Sequence, residues 1–402
     1  MQFSKELRRD VAAGDITVTF RLWRRPQAKV GGRYAVGPAT IEVDTMELLP
    51  FSRISGTDVR RAGERDRESL RARRPCGAHY RRDPALPDCV PRGRVVNGSG
   101  SGDPCERPAA PDEEGLMQQR PIGNRTVSAI GLGEMPLSIE GRPDRRQAIA
   151  TIHASLDAGV TIIDTADAYS LGVQEHGHGE ELVAEALAAY GGPTDDVLVA
   201  TKGGHRRPGD GSWTVHGDPA YVKEACEASL KALGVDAIGL YQYHRPDPSV
   251  PWAESVGALA DLLDEGKILM AGVSNATVDQ IDEAQSVLSG RLVSVQNEFS
   301  PRFRSSENEL EHCEKLGIVF IPWSPMGGIG RSDRIQETFP AFAEVATEVG
   351  ASPQQVTLAW MLAKGSRVIP IPGSSRPETA IASAAAADIT LTPEQVARLD
   401  AS

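Results

Sequence analysis

Between residues 117 and 402 the sequence predicts an α/β fold, a TIM (β/α)8 barrel of eight parallel strands. Three observations carry it. Eight short apolar runs recur, at 129–133, 161–163, 197–201, 238–243, 268–273, 292–295, 319–322 and 368–371. Amphipathic helical patterns separate them, as at 145–158, 180–189, 221–233 and 255–263. Strand and helix alternating in this way build a parallel sheet, and eight repeats close it into a barrel. Third, polar residues follow the runs, as they do where strand ends converge on one functional face. A doubly wound sheet is the competing topology. It needs G-x-G-x-x-G after the first strand, and Gly131-Leu132-Gly133-Glu134-Met135-Pro136 lacks it.

In chain order, 120–128 reads as a hairpin lid turning at Gly123-Asn124. The second run, T-I-I-D-T-A-D-A-Y, is apolar and β-branched, as suits a strand buried on both faces. It breaks into polar residues at Asp164, and Tyr169 follows five positions on. The third run, V-L-V-A-T-K-G-G, ends on Lys202. His244 closes the fourth, Ser274-Asn275 the fifth, Gln296 the sixth, Trp323-Ser324-Pro325 the seventh and Gly373-Ser374-Ser375-Arg376 the eighth. Singly, these read as a solvated lysine, a core histidine and turn formers. In register, eight polar strand ends point to one site.

The residues ahead of the barrel divide in two. Residues 1–72 read as a small α+β unit, with a helix over 3–11, alternating strands over 17–23 and 40–44, and turns at Gly31-Gly32 and Gly37-Pro38. Residues 73–116, rich in Pro, Gly, Ser and charge, read as a disordered linker. Met117 reads as the start of an independent protein joined to this leader.

Charge follows the same division. The first 116 residues carry 21 Lys+Arg against 17 Asp+Glu, a net +4, and the rest carries 22 against 38, a net −16. An acidic barrel argues against nucleic acid as its substrate. No apolar run reaches the roughly 18 residues of a membrane span. The N-terminus lacks a signal peptide's apolar core, which places the protein in the cytoplasm. Cys76, Cys89, Cys105, Cys226 and Cys313 form no C-x-x-C pair, so five free thiols are expected. The sequence is silent on oligomeric state.

The residue types suggest a reaction. A tyrosine titrates near about 10 and is a poor acid at neutral pH. A neighbouring lysine lowers that value, and a buried lysine needs a carboxylate such as Asp164. A histidine beside the tyrosine can donate to a substrate oxygen. Together these groups suit protonation of a carbonyl oxygen while hydride reaches carbon, with no metal. Glu175-His176-Gly177-His178 reads as a polar loop ahead of a helix.

D-T-A-D-A-Y, A-T-K, Y-Q-Y-H, G-V-S-N, V-Q-N and I-P-G-S-S-R stand in the order and at the spacing of the aldo-keto reductases, which residues 117–402 resemble over the length of that fold. The resemblance implies a catalytic tetrad at Asp164, Tyr169, Lys202 and His244, with Tyr169 the general acid. It implies NADPH across the barrel mouth, NADH being the alternative. Ser274, Asn275 and Gln296 match the positions on the nicotinamide carboxamide, and Trp323 the ring stacked on it. Ser324, Met326 and Gly327 match the pyrophosphate loop, Ser374 and Arg376 the 2′-phosphate site, and Gly133 belongs to the cofactor set. Ala382 and Ser383 replace the family's Glu-Asn adenine clamp. Met135 and Trp213, with Arg245 and 301–304, are expected to shape the mouth for a small aldehyde, ketone or planar ring. The leader resembles an ASCH (PUA-like) segment through Gly14 and Arg21, although Ile16 stands at the motif's lysine. A cofactor-binding redox sensor with slow turnover, and an RNA-associated protein acting through the leader, are the alternative functions.

Overall fold

The computed structural model describes Val18–Phe20, Arg33–Val36, Ala39–Pro50, Cys89–Asn97 and residues 117–402. The chain divides into two units, Met1–Asp112 and Glu113–Ser402. In the first, four strands make an antiparallel sheet in which Cys89–Asn97 lies between Val18–Phe20 and Ala39–Pro50, and Arg33–Val36 pairs on the far side of Ala39–Pro50. The alternating readings at 17–23 and 40–44 fall on two of these strands. The helix expected at 3–11 lies outside the described residues. The linker reading of 73–116 is corrected at Cys89–Asn97, which pairs along its length with Ala39–Pro50. A proline and a glycine in C-V-P-R-G-R-V-V-N obscured a strand whose valines are ordinary strand formers.

In the second unit seven parallel strands follow one another: Leu132–Gly133, Ile162–Asp164, Leu198–Gly203, Leu240–Tyr243, Ala271–Ser274, Leu292–Gln296 and Val319–Phe320. Residues 367–373 supply the eighth. Val368 bridges Phe320, Gly373 bridges Gly133, and the Gly131 and Gly133 amides donate to the Pro370 and Pro372 carbonyls. The sheet thereby closes on itself. Gly133 is needed at this seam, because a Cβ there would lie 2.8 Å from the Ile371 carbonyl oxygen.

Alternation along the strands sorts the side chains. Ile162, Leu198, Ala200, Leu240, Met270, Val319, Ile321, Ile369 and Ile371 pack together inside the barrel. Two residues further along three of these strands come Asp164, Lys202 and Gln242, all buried. The interior is therefore apolar below and polar at the strands' C-terminal ends. The hairpin Gln119–Ile122 with Arg125–Ser128 puts Ile122 and Val127 into the apolar layer. The hairpin therefore caps the barrel at the end away from the polar layer.

Helices cover the outside, led by Arg145–Asp157, His178–Ala189, Pro219–Leu233 and Trp252–Asp264. Their ends follow local chemistry. Asp144 and Asp218 accept backbone N–H groups at two N-termini, and Thr277, Ser352 and Thr392 form full capping boxes at three others. Cys226 and Cys313 are free and buried among these helices. Among the described residues no helix is long and apolar enough to cross a membrane.

Candidate active site

Asp164 ends the second strand and Lys202 is the penultimate residue of the third, so the barrel brings them to one layer without help from any loop. The Lys202 Nζ donates to Asp164 Oδ2 at 2.6 Å, to the Thr165 carbonyl at 2.8 Å and to the Tyr169 hydroxyl at 3.1 Å. All three donor positions of the ammonium are used, as a buried lysine requires. Asp164 Oδ1 accepts from Gln296 Nε2 at 2.8 Å and Gln242 Nε2 at 3.3 Å. Tyr169 arrives from the loop after the second strand, where its N–H donates to the Ala166 carbonyl. Its ring meets His244 edge-on at 5.9 Å between centroids and Trp213 edge-on at 6.3 Å.

Burial sets the electrostatics. It pushes the Tyr169 phenol above its ordinary value, and Lys202 offsets that only in part. Lys202 acts in the expected direction, lowering the value. Desolvation of the phenolate outweighs the neighbouring ammonium. Burial works to lower Lys202, but Asp164 and Tyr169 together raise it, so it stays charged. His244 is held well below its ordinary value by burial and then by Lys202, His205 and Arg245, so its imidazole is neutral. Its Nδ1 is buried without a partner.

Apart from Gly133 on the first strand, the expected cofactor positions lie on strands five to eight and the loops after them. Ser274 Oγ donates to the Gln296 carbonyl at 2.6 Å, and Asn275 Nδ2 donates to the His244 carbonyl at 3.1 Å. Gln296 spends an amide hydrogen on Asp164, so its side chain belongs to the polar layer as well as to the mouth. Asn275 and Ser324 have φ of 59° and 50° and, with Ser289, are the only non-glycine residues of positive φ among the described residues. Such strain concentrates at functional positions. Gly327, also left-handed, donates its N–H to the Ser324 carbonyl in a tight turn. Met326 is half-buried against the core. Trp323 Nε1 and Ser374 Oγ are buried without partners. Arg376 is 60% exposed, with Glu378 3.5 Å away. Two unused donors and an exposed guanidinium whose contact with Glu378 is open to solvent fit an anionic dinucleotide.

Met135 opens a single 3-10 turn after the first strand, with Gly133 at the seam beneath it. Trp213 sits before the short strand Thr214–Val215, which pairs with His205–Arg206. Arg245, Phe303 and Trp323 line one cleft with Asn275 and Glu298. Arg304 does not shape the mouth. It donates to the Asp400 and Leu399 carbonyls and stacks on Trp360, tying down the last helix.

Sequence reasoning missed four groups. Gln242 had a signal, being polar within a buried strand. Glu134 had one too, as the residue directly after the first strand. His205 and Arg207 had none, since they sit on an irregular flap. His205 lies 4.6 Å from His244 and 5.1 Å from Trp213, and burial then Arg245 push it down to about 4. Arg207 is 2% exposed, bonds Glu140 and stacks on Trp213 at 4.3 Å. These two pin the tryptophan over the tyrosine. His176 and His178 stay in the loop and helix start, where His178 contacts Ser138 and Glu175 pairs with Arg142.

The model of the Aldo/keto reductase family matches residues 129–402. An uncharacterised oxidoreductase of Schizosaccharomyces pombe is 35% identical over 285 residues, covering 69% of this chain and 88% of its own. A glycerol dehydrogenase from Gluconobacter oxydans superposes with a TM-score of 0.60 at 27% identity, covering 70% of this chain and 94% of its own. An aldo/keto reductase from Klebsiella pneumoniae, solved with NADP and acetate, gives 0.59 at 29% identity, covering 71% and 95%.

Proposed function

The chain belongs to the aldo/keto reductase family, and on that premise we propose that it reduces an aldehyde or ketone to the alcohol with NADPH, with Tyr169 as general acid. The observation that carries the reading is the buried chain from Asp164 through the Lys202 ammonium to the Tyr169 hydroxyl, beside a neutral His244. NADPH, when bound, supplies the hydride. Everything else falls to this chain's own groups.

Asp164 holds Lys202, and Gln242 and Gln296 hold Asp164. Lys202 orients the Tyr169 oxygen and favours the phenolate left once the proton has gone. His244, neutral, can donate to the same carbonyl oxygen without competing for the proton. Trp213, over Tyr169, keeps water from the reacting face. Ser274, Asn275, Gln296 and Trp323 would hold the nicotinamide. Ser324, Met326 and Gly327 would lie along the pyrophosphate, with Gly133 beneath. Ser374 and Arg376 would grip the 2′-phosphate. The substrate is a small carbonyl compound fitting between Met135 and Trp213.

Two measurements test the reading. Purified protein should quench and shift NADPH fluorescence on binding and then oxidise the cofactor when aldehydes are added; binding without oxidation by any of them would favour the sensor alternative. Arg376→Ala should raise the Kd for NADPH about tenfold, the scale of a lost charge-assisted contact, and leave that for NADH nearly unchanged. Equal changes for the two would remove Arg376 from the 2′-phosphate.

A further inference from the structure

Behind the polar layer, on the outer side of the strands, lies a carboxyl that the reaction above does not use. Glu134 follows the first strand and is fully buried. Its N–H donates to the Asp164 carbonyl at 2.9 Å. Its Oε2 accepts from Thr165 Oγ1 at 2.9 Å, and its Oε1 accepts from Ser138 Oγ. Thr165 is the residue whose carbonyl takes a hydrogen bond from Lys202. Ser138 Oγ is in turn 2.9 Å from His178 Nδ1. His178 is half-buried and lines a cavity on the outer wall with Leu137, Arg142, Asp144, Arg145 and Leu182. Hydrogen bonds thus run from that cavity to a carboxyl one residue from the ion pair. Helix His178–Ala189 closes over the path. A Cβ on Gly179 would lie 2.7 Å from Thr165 Oγ1, so only glycine lets the helix start so close.

We propose that Glu134 is a positioning residue that fixes the turn beneath Asp164 and Lys202, and whose charge, exchanged with solvent through Ser138 and His178, tunes the Tyr169 proton donor. The inference rests on the reading of Tyr169 as general acid.

The hydroxyls on either side of Glu134 can each reverse their hydrogen bond. With Glu134 ionised, both donate to it. With Glu134 protonated, its own O–H donates to one of them, and Ser138 is free to donate to His178. A proton can therefore pass in or out without moving a heavy atom. The groups that face this carboxyl are Ser138 from the 3-10 turn, Thr165 and Asp164 from the second strand's end, Lys202 from the third and His178 from the helix. Around His178 stand Arg142, Arg145, Glu175 and Glu181. Burial pushes Glu134 up to about 7, so its charge changes within the working range. An added negative charge there makes the Tyr169 proton harder to release. Reduction should therefore be faster below this value than above it.

The test is the pH profile of kcat for reduction of a neutral aldehyde at saturating NADPH. In the wild-type protein kcat should fall about five- to tenfold between about pH 6 and about pH 8 with a break near neutrality, the scale of one charge acting through a partly screened interior. Glu134→Gln keeps both hydroxyl contacts but cannot ionise, and should hold the faster, low-pH rate through the whole range. Glu180→Gln is the control, because Glu180 also faces Lys202 but is bonded to Thr201 on the other strand; it should keep the break. Ser138→Ala removes one donor to the charged form and should move the break upward. A break that survives Glu134→Gln, disappears in Glu180→Gln or stays fixed in Ser138→Ala overturns the proposal. Loss of turnover at every pH in the wild-type protein would instead overturn the carbonyl-reduction reading on which it rests.

Discussion

Replacing Tyr169 with Phe is expected to lower kcat for carbonyl reduction about a hundred- to ten-thousand-fold, the range over which a positioned general acid acts. The substitution removes one oxygen and keeps the ring. The edge-on contacts to His244 and Trp213 remain, so the mouth keeps its shape. Lys202 loses a single partner and keeps Asp164 and the Thr165 carbonyl. The Kd for NADPH should change less than about threefold, because none of the residues assigned to the cofactor touches the lost hydroxyl. Steady-state kinetics beside a fluorescence titration separates the two effects. Activity within tenfold of wild type would take the acid role away from Tyr169.

The second large effect concerns stability as well as rate. Lys202→Met leaves Asp164 at 2% exposure facing an apolar chain, with only two amides to answer its charge. Removing one partner of a buried pair costs about 3–5 kcal/mol, far more than the pair contributes when intact. The urea midpoint should fall accordingly, and reduction should be lost. Adding Asp164→Asn takes away the stranded charge. The double variant should recover most of the stability and none of the activity. A single Lys202→Met variant as stable as wild type would contradict the pairing of Asp164 with Lys202 as the contact that holds the buried layer together.

Much of this site was legible because the barrel makes strand ends equivalent. Asp164, Lys202 and Gln296 each end an apolar run, and alternation alone brings them to one layer. His244 and Asn275 follow on the next position of their strands. The loop residues were legible for another reason. Tyr169, Trp323 and Arg376 have no periodicity of their own: their place just beyond apolar runs marked them as candidates, and the resemblance of their motifs gave them their roles. What escaped reading shows the limit of both routes. His205 lies on the two-residue strand His205–Arg206 and Arg207 directly follows it, and both pack against Trp213. Glu134 stood in plain sight after the first strand, but nothing local says whether such a side chain turns into the barrel or away from it. Gly179 decides that, by letting a helix press on it from outside. The hairpin at 119–128 was legible from its Gly123-Asn124 turn, but its apolar residues do not say which layer of the barrel they fill. In the leader, Cys89–Asn97 was hidden by Pro91 and Gly93, which local rules count against a strand.

The most direct test of the central claim is the fate of the hydrogen. Purified protein is mixed with NADPH carrying deuterium at the transferable position and with a small aldehyde, and the alcohol is examined by mass spectrometry and proton NMR. One deuterium on the carbinol carbon, appearing in step with cofactor oxidation and absent with Tyr169→Phe, is the result this account expects. Cofactor oxidised with no deuterated alcohol, or alcohol formed equally well by the Phe variant, would contradict it.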